Sequence, residues 1–287
     1  MSDTDVDIVV QGTHVENDDL ATLAAIADPD AIEAIPARPG ATVVAWRLRG
    51  VRDTRGVREA CAAAELDCAV VPRERRLADL RVLAMDMDST LITIECIDEI
   101  AGHAGLRTEV SAVTAAAMRG DIDFAGSLER RVAMLSGQPT ATLDAVYRER
   151  LELAPGAQLL LAAAGAAGAK TLLVSGGFTY FTDRLKARLG LDATVANTLE
   201  IVDGKLTGRL IGPIVDADAK AAALSAMRVE HAGGGGIVAA IGDGANDLPM
   251  LRAADVSIAY HAKPAVRARA THAIDHGGLD AVLNLFR

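Results

Sequence analysis

Most of this sequence predicts a doubly wound α/β fold, a parallel sheet covered by helices on both faces, and three observations carry that reading. Three near-continuous apolar runs, RVLAMDMD, KTLLVSGG and GIVAAIGDG, each end in polar residues. Runs of this kind suit strands buried on both faces. Helical patterns such as TDRLKARLG and AKAAALSAMRVE lie between them, the alternation expected of α/β architecture. A helical stretch from residue 94 to about 155 interrupts the first crossover. It is far longer than the ~10–12 residues a crossover needs and reads as a cap over the strand ends, where ligands bind in such sheets.

The chain begins with a smaller unit, residues 1–75, before the main unit at 76–287. DIVVQG reads as a strand, NDDLATLAAIA as a helix capped by Asn17 or Asp18, and ATVVAWRLRG as a second strand. TRGVREACAAAEL is helical, LDCAVV is another strand, and AIEAIPA is a weaker one. The resulting β-α-β-β-α-β order is that of ferredoxin-like domains, which include the small-molecule-binding ACT modules, so an ACT-like α+β domain is expected. PRERRLADLR, from Pro72 to Arg81, reads as a solvated linker or connecting helix.

Composition narrows the function classes. The net charge is −10 with Lys and Arg scattered, whereas a nucleic-acid binder shows a basic stripe. The longest uncharged stretch, Leu153 to Ala169, is short and rich in Ala and Gly, which argues against a membrane span. The start, MSDTDVDIVV, is acidic and lacks the pattern of a signal peptide. Cys61, Cys68 and Cys96 have no zinc or redox spacing, so free thiols and a cytoplasmic location are expected.

The polar ends of the apolar runs carry the chemistry. Asp86 and Asp88 close the first, in DMDST; taken alone, such a pair is an ordinary turn. Ser175, Gly176 and Gly177 close the second, where a hydroxyl and free amides suit a phosphate oxygen. Asp243, Asn246 and Asp247 follow the third, in GDGANDLPM, whose spacing does not match a calcium loop of the EF-hand type. Between them Lys220 is the only cation from Ile211 to Met227. His272 and His276 are four apart, but the Gly-Gly that follows indicates a loop with no third ligand. Cys96 has no histidine base placed beside it and reads as a buried thiol. The glycines at 233–236 precede their strand and are a connector.

In this order the four pieces resemble the motifs of the haloacid dehalogenase superfamily over about residues 80–287, and the match is close to the phosphoserine phosphatases within it. ECIDEIA, AMRGDIDFAGSLERRVAML and KLTGRLIGPIVDADAK share the likeness. The resemblance implies hydrolysis of O-phospho-L-serine, the last step of L-serine biosynthesis. It makes Asp86 the nucleophile and Asp88 the acid and base. It places Mg²⁺ on Asp86, the backbone carbonyl of Asp88 and Asp243. Ser175, the Gly176 amide and Lys220 would hold the phosphoryl oxygens, and Asn246 and Asp247 would order metal waters and Lys220. In the cap, Glu95 would meet the substrate ammonium, Arg131 its carboxylate, and Met118 and Phe124 would supply an apolar wall. The expected partner is this small molecule, with no nucleic acid or membrane, and a homodimer is an open arrangement.

Other readings remain at this point. A phosphatase for another small phosphate, or a phosphotransferase, would use the same four motifs. A sugar phosphate, however, needs no pair like Glu95 and Arg131. A binding module with a relic site would have lost a motif residue, and none is lost.

Overall fold

A computed structural model describes residues 6–287. Residues 1–5, the acidic start on which the signal-peptide reading partly rests, lie outside the described residues.

The N-terminal unit runs β1 (Val6–Gly12), α1 (Asn17–Ala27), β2 (Ala31–Ile35), β3 (Val44–Arg49), α2 (Val57–Ala63) and β4 (Asp67–Pro72). Its sheet is antiparallel in the order β2-β3-β1-β4. β1 is buried on both faces. Ile8 and Val10 pack with Leu23, Leu48, Val57 and Cys61 under the two helices. Val9, with Ala69 and Val71 of β4, packs into the main core.

Polar bonds fasten this second face to the rest of the chain. The buried Asp67 carboxylate accepts the amides of Asp275, His276 and Gly277 at 2.7–3.2 Å. Arg47 donates to the carbonyls of Asn284 and Phe286, and Asn284 donates to Gln11. The charged segment after Pro72 forms no connecting helix and is more than a solvated boundary. It makes one 3₁₀ turn at Leu77–Asp79. Leu77 donates to the C-terminal Arg287 carbonyl, and Arg75 pairs with His272 at 2.8 Å. His272 accordingly lies buried in a strand, where the sequence indicated a loop.

The main unit begins with β5 (Leu80–Met85). Cap helices follow: α3 (Cys96–His103), α4 (Arg107–Met118), α5 (Phe124–Met134) and α6 (Thr140–Glu149). The stems of this insert are tied together, since Ile92 bridges Leu153 and Ala154 donates to the Leu91 carbonyl at 2.9 Å. Then come α7 (Ala157–Ala166), β6 (Lys170–Phe178), α8 (Thr179–Leu189), β7 (Ala193–Val202), β8 (Lys205–Ile211), α9 (Ala217–Ala232), β9 (Ile237–Gly242), α10 (Leu248–Ala253), β10 (Val256–Tyr260), α11 (Pro264–Arg267) and β11 (His272–Ile274). A 3₁₀ segment, Leu279–Leu285, packs as core near the end.

The seven strands lie in the order β11-β10-β9-β5-β6-β7-β8, all parallel except the β7–β8 hairpin. The fold is thus the doubly wound α/β arrangement with its helical insert. The hairpin turn uses Asp203 and Gly204, both at positive φ (50° and 73°), the geometry Asp-Gly favours.

Candidate active site

β5 is the first strand of the parallel sheet, yet it lies at its centre, flanked by β6 and β9. The chain therefore winds outward from β5 in both directions, which opens a crevice at the carboxyl ends of these strands. Asp86, Ser175 and Asp243 follow or close those three ends.

The turn after β5 holds its own polar groups in place. The Asp86 carboxylate accepts the Met87 amide at 2.7 Å. Ser89 sits at φ +55°, strained for a residue with a Cβ. Its hydroxyl donates to Glu95 at 2.8 Å, and Thr90 donates to Asp243 at 3.0 Å. The Cys96 amide reaches Asp88 at 3.3 Å. Cys96 itself is a buried thiol, pushed well up by burial and by Asp88. A Cβ at Gly177 would lie 2.8 Å from Met87 Cε and 3.0 Å from an Asp88 oxygen, so those side-chain tips would have to shift to admit one.

Lys220 comes up from α9 almost wholly buried, 1 % exposed. Its ammonium lies 2.7 Å from Asp86 Oδ2 and 2.8 Å from Asp247 Oδ1. The other Asp247 oxygen accepts the Gly244 amide at 3.0 Å. Although burial opposes its charge, Asp86 and Asp247 together raise the Lys220 pKa, so it stays protonated.

One ammonium does not balance this group of carboxylates. Burial first, then Asp247, push the Asp86 carboxyl well above the usual range despite Lys220. Burial and Glu95 hold Asp88 at about 7. Burial and Asp247 raise Asp243. Oxygens of Asp86, Asp243 and Asp247 lie within 4.8 Å of one another. Closely set hard oxygens, short of positive charge, fit a divalent cation such as Mg²⁺. Asp247, already bonded at both oxygens, is the least free of the three to take part.

Above this floor is a cavity of about 530 Å³ under the cap. It is lined by Asp86, Asp88, Glu95, Met118, Phe124, Arg131, Ser175, Gly176, Asp243 and Asn246, among others. Lys220 and Asp247, the remaining residues singled out from the sequence, lie behind Asp86. Ser175 accepts the Gly177 amide at 2.8 Å. Phe124 roofs the floor so closely that a Cβ on Gly176 would come within 2.9 Å of its ring.

Met118 departs from expectation. It is 67 % exposed, so it forms an open lip at the end of α4 and no water-excluding wall. Glu95 is open to the cavity by surface exposure, but the recess removes much of its water. Burial, then Asp243 and Asp98, raise its pKa against Ser89 and Arg131. Burial lowers the Arg131 guanidinium, and Asp98, Glu95 and Asp88 oppose that shift.

Sequence reasoning passed over Asp98, Ser127 and Lys263, which also line the cavity. Helical spacing was the available signal for Ser127. It lies three residues after Phe124 and four before Arg131, on the same face of α5.

The haloacid dehalogenase-like hydrolase family matches residues 83–252. A phosphoserine phosphatase of Polaromonas sp. is 52% identical over 227 residues, covering 76% of this chain and 94% of that protein. The unliganded crystal structure of a probable phosphoserine phosphatase from Vibrio cholerae superposes with a TM-score of 0.83 at 36% identity, covering 99% of this chain and 87% of that one. A substrate-bound phosphoserine phosphatase complex gives a TM-score of 0.67 at 34% identity, over 72% of this chain and 99% of the other. With the carboxylates and lysine gathered at the switch point and a cap above them, the chain belongs to the haloacid dehalogenase-like hydrolases, on their phosphoserine phosphatase branch.

Proposed function

We propose that this enzyme hydrolyses O-phospho-L-serine to L-serine and phosphate through an aspartyl-phosphate on Asp86, as the last step of L-serine biosynthesis. The observation that carries the reading is the Asp86–Lys220–Asp247 chain beneath a cavity whose cap offers Glu95 and Arg131. Asp86, the Asp88 carbonyl and Asp243 would hold Mg²⁺, which would supply positive charge beside the phosphoryl oxygens.

The Asp86 carboxylate attacks phosphorus, and the bond to the serine oxygen breaks. Asp88 gives its proton to that oxygen; a carboxyl held at about 7 is protonated in about half of the molecules at neutral pH. Water then attacks the phosphorus of the acyl phosphate and gives a proton to Asp88. Phosphate leaves and the Asp86 carboxylate returns. Throughout, Lys220, Ser175 and the Gly176 amide hold phosphoryl oxygens in place. Glu95 faces the ammonium and Arg131 the carboxylate, while Asn246 and Asp247 order the groups around Lys220.

Residues 1–75 form, on this reading, an ACT-like domain attached to a phosphatase unit at 76–287 whose cap is about 94–155. A separate sheet with its own apolar cluster supports that division. Among the described residues no helix is long and apolar enough to cross a membrane. The cytoplasmic assignment rests instead on three free cysteines. A homodimer is supported only by the exposed edge strand β2, an opening for strand pairing.

Phosphate release from a panel of monoesters, after exhaustive chelation and again with Mg²⁺ restored, tests the reading. Activity is expected to vanish, return, and favour phosphoserine; unchanged activity after chelation overturns the metal assignment. A beryllium fluoride adduct on any residue but Asp86 overturns the nucleophile.

A further inference from the structure

Helix α5 presents one face to the cavity, through Phe124, Ser127, Leu128 and Arg131. Three of these have evident uses as apolar wall or cation. Ser127 does not: it is 1 % exposed, and its hydroxyl has no hydrogen-bond partner among the described residues. Burying a hydroxyl unpaired is costly.

A serine within a helix has a ready remedy, which is to donate to the carbonyl four residues back. Thr22, Thr114 and Ser225 all do so, at 2.9, 3.2 and 2.8 Å. Ser127 makes no such bond and lines the cavity instead. The neighbouring Arg131 folds back along the same face, its Nε donating to the Ser127 carbonyl at 3.3 Å. No hydrogen bond engages its terminal nitrogens among the described residues, and both Ser127 and Arg131 border the cavity.

We infer that Ser127 is a substrate-contacting, specificity-determining residue whose hydroxyl donates, beside Arg131, to the carboxylate of an α-amino-acid phosphate. This rests on the phosphoserine reading above. A carboxylate has about four acceptor positions, enough for an arginine fork and one hydroxyl. The ammonium end needs no hydroxyl, because Glu95 and Asp98 line the same cavity, and one Asp98 oxygen is itself buried without a partner.

Ser127→Ala tests this with O-phospho-L-serine, with O-phosphoethanolamine, which lacks the carboxylate, and with thermal unfolding in the absence of substrate. The contact is remote from the phosphorus, so its loss acts on binding. KM for phosphoserine is expected to rise about ten-fold, the effect of one hydrogen bond to a charged group. kcat/KM for phosphoethanolamine is expected to move by less than about two-fold. The melting temperature is expected to match or exceed that of the wild type, since no native bond is lost. Ser127→Cys, close in shape but a weak donor, is expected to fall between.

A lower melting temperature with equal losses on both substrates overturns the inference and makes the hydroxyl structural. An unchanged KM for phosphoserine overturns it too. A wild-type enzyme without preference for phosphoserine over phosphoethanolamine overturns the functional reading beneath it, a failure visible before any variant is made.

Discussion

Lys220 Nζ lies 2.7 Å from Asp86 Oδ2, and both side chains are almost completely buried. Asp247 receives the same ammonium at 2.8 Å. The lysine thus fixes the Asp86 carboxylate while keeping two carboxylates in a site that strips them of water.

Replacing Lys220 by Met leaves those carboxylates without their cation. Breaking a buried pair from one side costs about 3–5 kcal/mol, so Lys220→Met is expected to lower stability by that order in urea denaturation at neutral pH. Phosphoserine turnover should fall by roughly 10²–10³, the scale of losing one phosphoryl-oxygen donor. The stability loss should shrink as pH falls, because Asp86, whose pKa burial raises, takes up a proton and no longer needs the lysine. A variant as stable as the wild type at pH 7 rules out this account of the ion pair.

The contact between Arg75 and His272 makes a separate prediction about acid stability. Arg75 donates to His272 Nε2, which requires a neutral ring. Burial first, and then Arg75, lower its pKa to about 3. The unfolded chain titrates near ~6.5, so between those values the unfolded state binds the extra proton. Stability from this residue is complete above about 6.5 and declines as pH falls toward 3, by about 1.4 kcal/mol per pH unit. Unfolding free energies of the wild type and His272→Gln, measured from pH 7 to 4.5, should diverge in slope by one proton. Parallel slopes would show that the ring is charged in the fold.

Asp67 holds three consecutive amides of the segment Asp275 to Gly277 across the two units. Asp67→Ala strands these donors, at about 1–3 kcal/mol for a buried group left unpaired. A stability loss of about 3 kcal/mol is expected by denaturant titration, with Asp67→Asn intermediate because it keeps one acceptor oxygen. Hydrogen exchange should localise the change to the amides at 275–277. Protection unchanged there would place the stabilisation elsewhere.

None of those inter-unit bonds was legible in the sequence. Arg75 and His272 are 197 residues apart, and Asp67 and Asp275 are 208 apart, so neither periodicity nor spacing brings them together. The catalytic floor was legible because each of its strands is a continuous apolar run whose polar end marks the sheet's open edge. β10 and β11 were too short to stand out, at five and three residues. The β7–β8 hairpin carries its own signal in the Asp203-Gly204 turn. Met118 shows the limit of apolar character as a guide, since its side chain ends a cap helix in the open.

Arg131 lines the cavity with Glu95, and its guanidinium keeps its charge among Asp98, Glu95 and Asp88. Arginine offers a planar fork that matches a carboxylate at two points. On the proposed reading, Arg131→Ala would leave the substrate carboxylate under the cap without that partner. Losing a charge-assisted hydrogen bond costs about 1.5–3 kcal/mol, roughly ten- to a hundred-fold in kcat/KM. A generic aryl phosphate has no carboxylate to lose, so the ratio of the two kcat/KM values should move by nearly that whole factor. Equal losses on both substrates would mean that Arg131 supports the cap through its neighbours. An unchanged ratio with full activity would remove the cap's claim to phosphoserine and leave the phosphatase floor intact, since Asp86, Asp88 and Lys220 do not depend on it.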